Sequence, residues 1–232
     1  MTSTPQPTAL ITGAGRGLGL ALARALLAAN WRVVVDARRA SHLAVALPEA
    51  VVVPGDVTSP AHREALSAAI TGLDLLVNNA SDLGPSPLPH LADMPLAAAR
   101  QVYETNVLAP LALIQRFLPQ LRAAHGTIVN ISSDAAVEAY PGWGGYGSAK
   151  AALDQLTAVL AAEEPELAVY AVDPGDMRTE MHQAAFPGED ISDRPAPETV
   201  VPALLNLIAT RPPSGRLRAK DLTKPAPKET VA

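Results

Sequence analysis

The sequence predicts an α/β fold, a doubly wound parallel β-sheet with helices on both faces. Three observations carry this. Short apolar runs recur along the chain, Ala- and Leu-rich segments long enough for helices separate them, and the runs are apolar throughout rather than alternating. Strands covered on both faces need that composition, and strands that alternate with helices form parallel sheets.

The elements follow in order. Residues 8–12, Thr-Ala-Leu-Ile-Thr, read as a strand that ends at the glycines Gly13, Gly15, Gly17 and Gly19. Leu18 to Ala29 holds strong helix formers, Asn30 can close that helix in a left-handed conformation, and Arg32 to Val35 restarts as a β-branched strand. A βαβ unit results. Further strands are expected at Val51–Val53, Leu73–Val77, Thr127–Ile131 and Ala168–Val172, and a helix from Tyr146 through Ala162. Two proline-rich stretches, Leu83 to Pro95 and Phe186 to Pro202, read as loops. The second follows a late strand, where an open parallel sheet binds its ligand, so it is a natural substrate lid. One domain is expected over residues 8–222, between a flexible N-terminus (1–7) and a flexible tail (223–232).

Bulk properties narrow the function. A chain of 232 residues with 48% hydrophobic content can fill one substantial core. A formal charge of -5 favours small-molecule partners over nucleic acid or an anionic membrane. The absence of cysteine excludes disulfides, thiolate metal sites and thiol nucleophiles, so redox work needs a bound cofactor and no metal site is expected. No segment approaches the roughly 20 apolar residues of a membrane span, and the first seven residues lack a signal peptide's basic and apolar regions, so a cytoplasmic location is expected.

The strand, glycine turn and helix at Thr12 to Gly19 have a physical purpose. Helix-start amides carry unpaired N–H groups and a partial positive charge, which a pyrophosphate satisfies. Glycine admits positive φ and close approach of the phosphates. In its βαβ context the turn predicts a Rossmann-like dinucleotide site. The end of the second strand, Asp36-Ala37-Arg38-Arg39, meets the adenosine ribose. Asp36 could bind a free 2′-hydroxyl, whereas Arg38, Arg39 and Arg16 could surround a 2′-phosphate.

Tyr146 and Lys150 are i and i+4 neighbours on one helical face. An ammonium beside a phenol stabilises the phenolate, which makes Tyr146 a usable proton donor and acceptor for an alcohol or carbonyl oxygen. Ser133 ends a strand, where ligands bind, and can hold that oxygen against Tyr146.

These segments together resemble the short-chain dehydrogenase/reductase family, in order from about Thr8 to about Leu222. Thr12-Gly13 with Gly17 and Gly19 is similar to its cofactor turn, and Gly55-Asp56-Val57 to its adenine-contacting segment. Asn78-Asn79-Ala80 resembles its structural Asn-Asn-Ala-Gly, with Ser81 in place of glycine. Thr105-Asn106-Val107 resembles the helix bearing its catalytic asparagine. Asp173-Pro174-Gly175 and Thr179 resemble the segment that grips the nicotinamide carboxamide. The resemblance implies Asn106, Ser133, Tyr146 and Lys150 as the catalytic set, Lys150 also binding the nicotinamide ribose and Asn106 holding a proton-relay water. It implies Gly13, Gly15, Arg16, Gly17, Leu18, Gly19, Arg38, Asp56, Val57, Asn79, Ala80, Tyr146, Lys150, Pro174, Gly175 and Thr179 as cofactor-binding.

Ala37 falls where NAD-preferring members carry aspartate and Arg38 where NADP-preferring members carry arginine, which favours NADP(H) over NAD(H). The implied activity is hydride transfer between NADP(H) and a carbonyl or secondary alcohol, as a carbonyl or oxoacyl reductase. An NAD-dependent alcohol dehydrogenase and a non-catalytic NAD(P)-binding sensor are the alternatives. Ser81, Asp134, Val137, Tyr140, Trp143, Met177 and the loop near Phe186 are candidate substrate-lining groups. A homodimer or homotetramer through the helices of Asn106 and Tyr146 is also implied. Asp134 departs from the small or apolar residue usual after the serine. The stretch after Thr179 is short for the family and lacks its customary Asp-Gly.

Overall fold

Seven parallel strands form one sheet in a computed structural model that describes residues 6–222. The strands are β1 (Thr8–Ile11), β2 (Arg32–Ala37), β3 (Val51–Pro54), β4 (Leu75–Asn78), β5 (Thr127–Ile131), β6 (Ala168–Asp173) and β7 (Gly215–Arg218), in the order β3-β2-β1-β4-β5-β6-β7. The helices are α1 (Gly17–Ala28), α2 (Leu43–Ala46), α3 (Pro60–Ala68), α4 (Leu96–Tyr103), α5 (Ala109–Ala124), α6 (Gly144–Glu163), α7 (Glu180–Ala185), α8 (Val201–Thr210) and α9 (Ala219–Leu222). The expected flexible tail, 223–232, and the first five residues of the expected flexible N-terminus lie outside the described residues. Pro7 is described, and its carbonyl accepts from the Arg32 N–H at 2.9 Å, extending the β1–β2 pairing.

The inner strands are mostly apolar because each face meets its own helix layer. Leu10, Val34, Leu76, Ile128 and Val169 join Leu66 of α3 and Phe117 of α5 in one buried cluster. Their neighbours Ile11, Val35, Val77, Val129 and Tyr170 join Leu22 of α1 and Leu204 of α8 in another. Period-2 alternation of side chains across the sheet therefore divides one apolar run between two cores. Asn30 closes α1 at a φ of 63°, the left-handed ending expected of it.

Two expectations need correction. β7 is a strand where none is expected. Its Gly-Arg-Leu-Arg sequence has little apolar character because it is an edge strand, paired with β6 from Tyr170↔Gly215 to Asp173↔Arg218. The expected loop through Pro202 also ends sooner, because α8 begins at Val201. Pro202 stands in the first turn, where its missing N–H breaks no helical hydrogen bond.

The strand order reverses between β1 and β4, and the crevice at the carboxyl ends of the strands opens there. A buried polar chain fixes α6 beside that crevice. Asn78 Nδ2 donates to Asn130 Oδ1 (2.8 Å), Asn130 Nδ2 to Thr157 Oγ1 (2.9 Å), and Thr157 Oγ1 to the Leu153 carbonyl (2.7 Å). β4, β5 and α6 are thus joined by buried hydrogen bonds. Asn130→Ala strands a donor on Asn78 and an acceptor on Thr157, and is expected to destabilise the protein by about 2 kcal/mol. Urea unfolding measures this, and a loss below a few tenths would contradict the assignment.

Candidate active site

A cleft of about 790 Å³ runs along the carboxyl edge of the sheet, from the glycine turn to Ser133, Tyr146 and Lys150. Gly13 and Gly17 adopt φ of 65° and 55°, and a Cβ on Gly13 would lie 2.7 Å from the Ala80 Cα. Only glycine fits there. Arg16, at the N-cap of α1, makes no side-chain cap, and no acidic residue occupies the first turn. The first-turn amides of α1 beside Gly17 and Leu18 are therefore available to an anion, and both residues line the cleft. Thr12 Oγ1 accepts from the N–H groups of Asn79 and Ala80 at 3.0 Å, and Asn79 Nδ2 donates to the Thr12 and Gly13 carbonyls. Gly15, Asn79 and Ala80 line the cleft. Gly19 lies behind it, packed so closely that a Cβ would meet Asn79 Nδ2 at 2.5 Å.

At the end of β2 the structure excludes one sequence alternative. Asp36 is 1% exposed, its Oδ1 accepts from the Gly13 N–H at 2.6 Å and its Oδ2 lies 3.1 Å from His62 Nε2. Both oxygens are committed beneath the turn, so Asp36 is not placed to bind a ribose. Burial raises its pKa despite the bonds from His62 and Gly13. His62 also accounts for Gly55, where a Cβ would meet its Nδ1 at 2.1 Å.

Ala37, Arg38, Arg39, Asp56 and Val57 line the cleft, with the two arginines exposed. Burial pushes Asp56 up, but the Thr58 N–H and hydroxyl, with Arg38 and His62 nearby, leave it below its ordinary range. Arg16 pairs with Glu180 on α7, and both are largely exposed, so the pair is weak and open to exchange. Ser41 and His42 line the same region, and His42 Nε2 lies 2.7 Å from the Gly15 carbonyl. Sequence reading missed both. The adjacent arginines were the available signal.

The reactive end combines β5 with α6. Lys150, 2% exposed, donates from Nζ to the Ile131 carbonyl at 2.7 Å and lies 5.5 Å from the centre of the Tyr146 ring. Burial lowers the ammonium to about 8, with Asp154 pulling upward. Tyr146, 8% exposed, moves the other way from the expected ammonium-stabilised phenolate. Burial pushes the phenol up to about 12, Asp134 and Asp173 add to that, and the hydroxyls of Ser81 and Ser133 oppose it. The burial that brings the pair together removes the water that would solvate either charge, and Lys150 directs its proton to Ile131.

Ser133 Oγ donates to Asp134 Oδ1 at 3.0 Å and accepts from the Ala135 N–H at 3.2 Å. Asn106 is fully buried in a π-helical turn, Glu104–Leu108. Its Oδ1 accepts from Ser81 Oγ (3.0 Å) and the Asp82 N–H (2.9 Å), and its Nδ2 donates to the Asp82 carbonyl (2.7 Å). The amide thus holds the Ser81–Asp82 loop, and Ser81 in turn meets Tyr146.

Pro174, Gly175 and Thr179 line the cleft, and Thr179 Oγ1 caps α7 through the His182 N–H. Ser81, Asp134, Trp143 and Met177 line it as expected. Ala185, next to Phe186, lines it too, whereas Val137, Tyr140 and the Phe186 ring do not. Val137 is 63% exposed, Tyr140 Oη bonds to Glu138 and Asp134, and Phe186 packs behind Trp143 at 5.9 Å between ring centres. Their sequence proximity to the wall does not carry their side chains into it. Among the described residues no group of three His, Asp or Glu could hold a metal, and no helix is long and apolar enough to cross a membrane.

Comparisons with known proteins agree with this geometry. The family described as short chain dehydrogenase matches residues 7–190. An uncharacterized oxidoreductase of Schizosaccharomyces pombe is 34% identical over 187 residues, 78% of this chain and 75% of its own. The sepiapterin reductase of Mus musculus is 34% identical over 199 residues, 76% of each chain. A short-chain dehydrogenase of Shigella flexneri solved with NADP superposes with a TM-score of 0.84 at 26% identity, covering 92% of this chain and 97% of that one.

The lowered Lys150 value has a measurable consequence. Below pH 8 folded and unfolded chains both carry the proton, so the full cost of burying it is present. Between pH 8 and the unfolded value of 10.5 the unfolded chain binds more protons, so stability rises with pH, by at most about 1.4 kcal/mol per unit. In Lys150→Met this rise is expected to vanish. Unfolding measured from pH 8 to 10 checks it, and an undiminished rise in the variant would refute the assignment.

Proposed function

The chain belongs to the short-chain dehydrogenase/reductase family, whose members are oxidoreductases acting on alcohol and carbonyl groups, and from that membership we propose an NADP(H)-dependent carbonyl or oxoacyl reductase. In this reading residues 8–222 form one dinucleotide-binding and catalytic domain. The observation that carries it is the placing of the buried Tyr146 phenol, a group protonated at neutral pH, beside Ser133 and Lys150 at the wall of the cleft. A protonated phenol is the acid that carbonyl reduction consumes.

The donor set fits a nicotinamide dinucleotide: uncapped α1 amides for the pyrophosphate, Asp56 and Val57 at the adenine end, and Lys150, Pro174, Gly175 and Thr179 toward the nicotinamide. When bound, the nicotinamide supplies or accepts the hydride. Tyr146 gives its proton to the developing alkoxide, and Ser133 turns from Asp134 to hold that oxygen. Lys150 presents positive charge beneath the phenolate left behind. Asn106 fixes Ser81 and the loop beside Tyr146, and a relay water on Asn106 would return the proton. NADP(H) is preferred because Asp36 is turned inward while Arg38, Arg39 and Arg16 offer charge-assisted donors to a 2′-phosphate. The Shigella flexneri relative with NADP supports the same preference. We place the enzyme in the cytoplasm as a homodimer or homotetramer. The exposed Leu96, Tyr103, Leu108 and Val159, on α4, the π turn and α6, support the assembly.

Oxidation of NADPH and NADH against aldehydes, ketones, quinones and oxoacyl thioesters tests the reading. Turnover is expected with NADPH in preference to NADH, and its absence with every carbonyl would favour a binding-only protein. Tyr146→Phe is expected to lower kcat about a thousandfold while NADPH still binds. Arg38→Ala is expected to raise the KM for NADPH about tenfold, with little change for NADH. Equal losses for both cofactors would contradict the phosphate assignment.

A further inference from the structure

Arg216 touches all three elements that meet at the reactive end of the cleft. It stands on the edge strand β7, opposite Ala171 of β6. Its Nη2 donates to the Ser133 carbonyl at 2.9 Å and lies 3.7 Å from Asp173 Oδ2, while its Nε donates to Asp154 Oδ2 at 2.9 Å. Ser133 follows β5, Asp173 ends β6, and Asp154 is one turn beyond Lys150 on α6. The guanidinium is 28% exposed and the two carboxylates 13% and 9%, so water screens these contacts only in part. A planar fork can bond a carbonyl and a carboxylate at once in fixed relative positions, which a lysine cannot.

We infer that Arg216 is a positioning residue for the proposed reaction, tying the main chain of Ser133 to the helix that carries Tyr146 and Lys150 and so setting the separation of serine hydroxyl and phenol. The inference rests on the reductase reading for its kinetic part. Its electrostatic part stands alone. Asp154 raises the Lys150 ammonium, and the Arg216 charge beside that carboxylate weakens its field. Other groups around this site are Tyr146, whose ring lies by Lys150, Asp134 and Asp173, which act on Tyr146, and Lys220, which acts on Asp173.

Arg216→Met leaves Asp154 in a poorly hydrated place without its guanidinium, and Asp154 Oδ1 already lacks a protein partner, so that variant could lose the fold for structural reasons alone. The double variant Arg216→Met/Asp154→Leu removes both charges and restores an uncharged contact. It is expected to unfold near the wild-type temperature, yet to show kcat reduced about tenfold to a hundredfold at the plateau of its own pH profile, with the KM for NADPH within about twofold. Arg216→Lys is expected to recover only part of the rate. Arg218→Met, on the same strand but bonded to Asp221, is the control and is expected to turn over as the wild type does. A double variant with wild-type kcat overturns the positioning role.

If the wild type reduces no carbonyl at all, the reductase reading fails and the inference is judged without turnover. The onset of the pH-dependent gain in stability that belongs to Lys150 is expected to move up in Arg216→Met and down in Asp154→Asn. Asp154→Asn calibrates the shift, and an onset unmoved in Arg216→Met overturns the inference independently of activity.

Discussion

The buried ammonium of Lys150 is the constraint around which the reactive end is built. Placing such a charge at 2% exposure costs several kcal/mol unless hydrogen bonds and opposite charge offset it. The Ile131 carbonyl supplies the bond and Asp154 the charge. The bond to Ile131 depends on the distance between α6 and β5, whereas Asp154 travels with Lys150 on α6, so an element that moves the helix disturbs the ammonium through that carbonyl. The Asn78–Asn130–Thr157 chain holds that distance from within the core, and Arg216 holds it from the edge of the sheet. Tyr146 shares the consequence. Buried near the same strand end, its phenol is pushed up for the same reason that the Lys150 ammonium is pushed down, the loss of water around the charged form.

The cofactor end follows the same physics with the opposite charge. Asp36 is buried beneath the glycine turn, and its carboxylate is satisfied by the Gly13 N–H and His62. Turning Asp36 inward stabilises the turn and occupies both its oxygens, leaving Arg38, Arg39 and Asp56 as the charged groups offered to the cleft there. One hydrogen-bonding choice beneath the turn thus shapes both the phosphate cradle and the adenosine end. The Arg16–Glu180 pair joins this region to the start of α7. A phosphate arriving at Arg16 would compete with Glu180, which links events at the adenosine end to the segment beyond Thr179.

Much of the architecture was legible because local sequence carried it. Largely apolar runs marked the first six strands, and the glycine turn marked the start of α1. Spacing placed Tyr146 and Lys150 on one helical face. The misses share a cause. β7 is an edge strand whose Gly-Arg-Leu-Arg sequence lacks an apolar signature, so Arg216 had no visible partner until the sheet brought it to Ser133 and Asp154. His62 reads as an ordinary helix residue and finds Asp36 only across the fold. Val137, Tyr140 and Phe186 were near the site in sequence, but their side chains are directed to solvent or into packing behind Trp143.

The sequence by itself determined the secondary structure of most of the sheet, the glycine turn, the family, and the pairing of a phenol with an ammonium on one helical face. These follow from composition, periodicity and short spacing, all of which survive in a list of residues. The tertiary structure alone decided which carboxylate faces the cofactor, which carbonyl receives the Lys150 proton and in which direction Tyr146 is shifted. Those outcomes depend on burial and on partners distant in sequence, because solvation and the Coulomb interaction are set by distance in space.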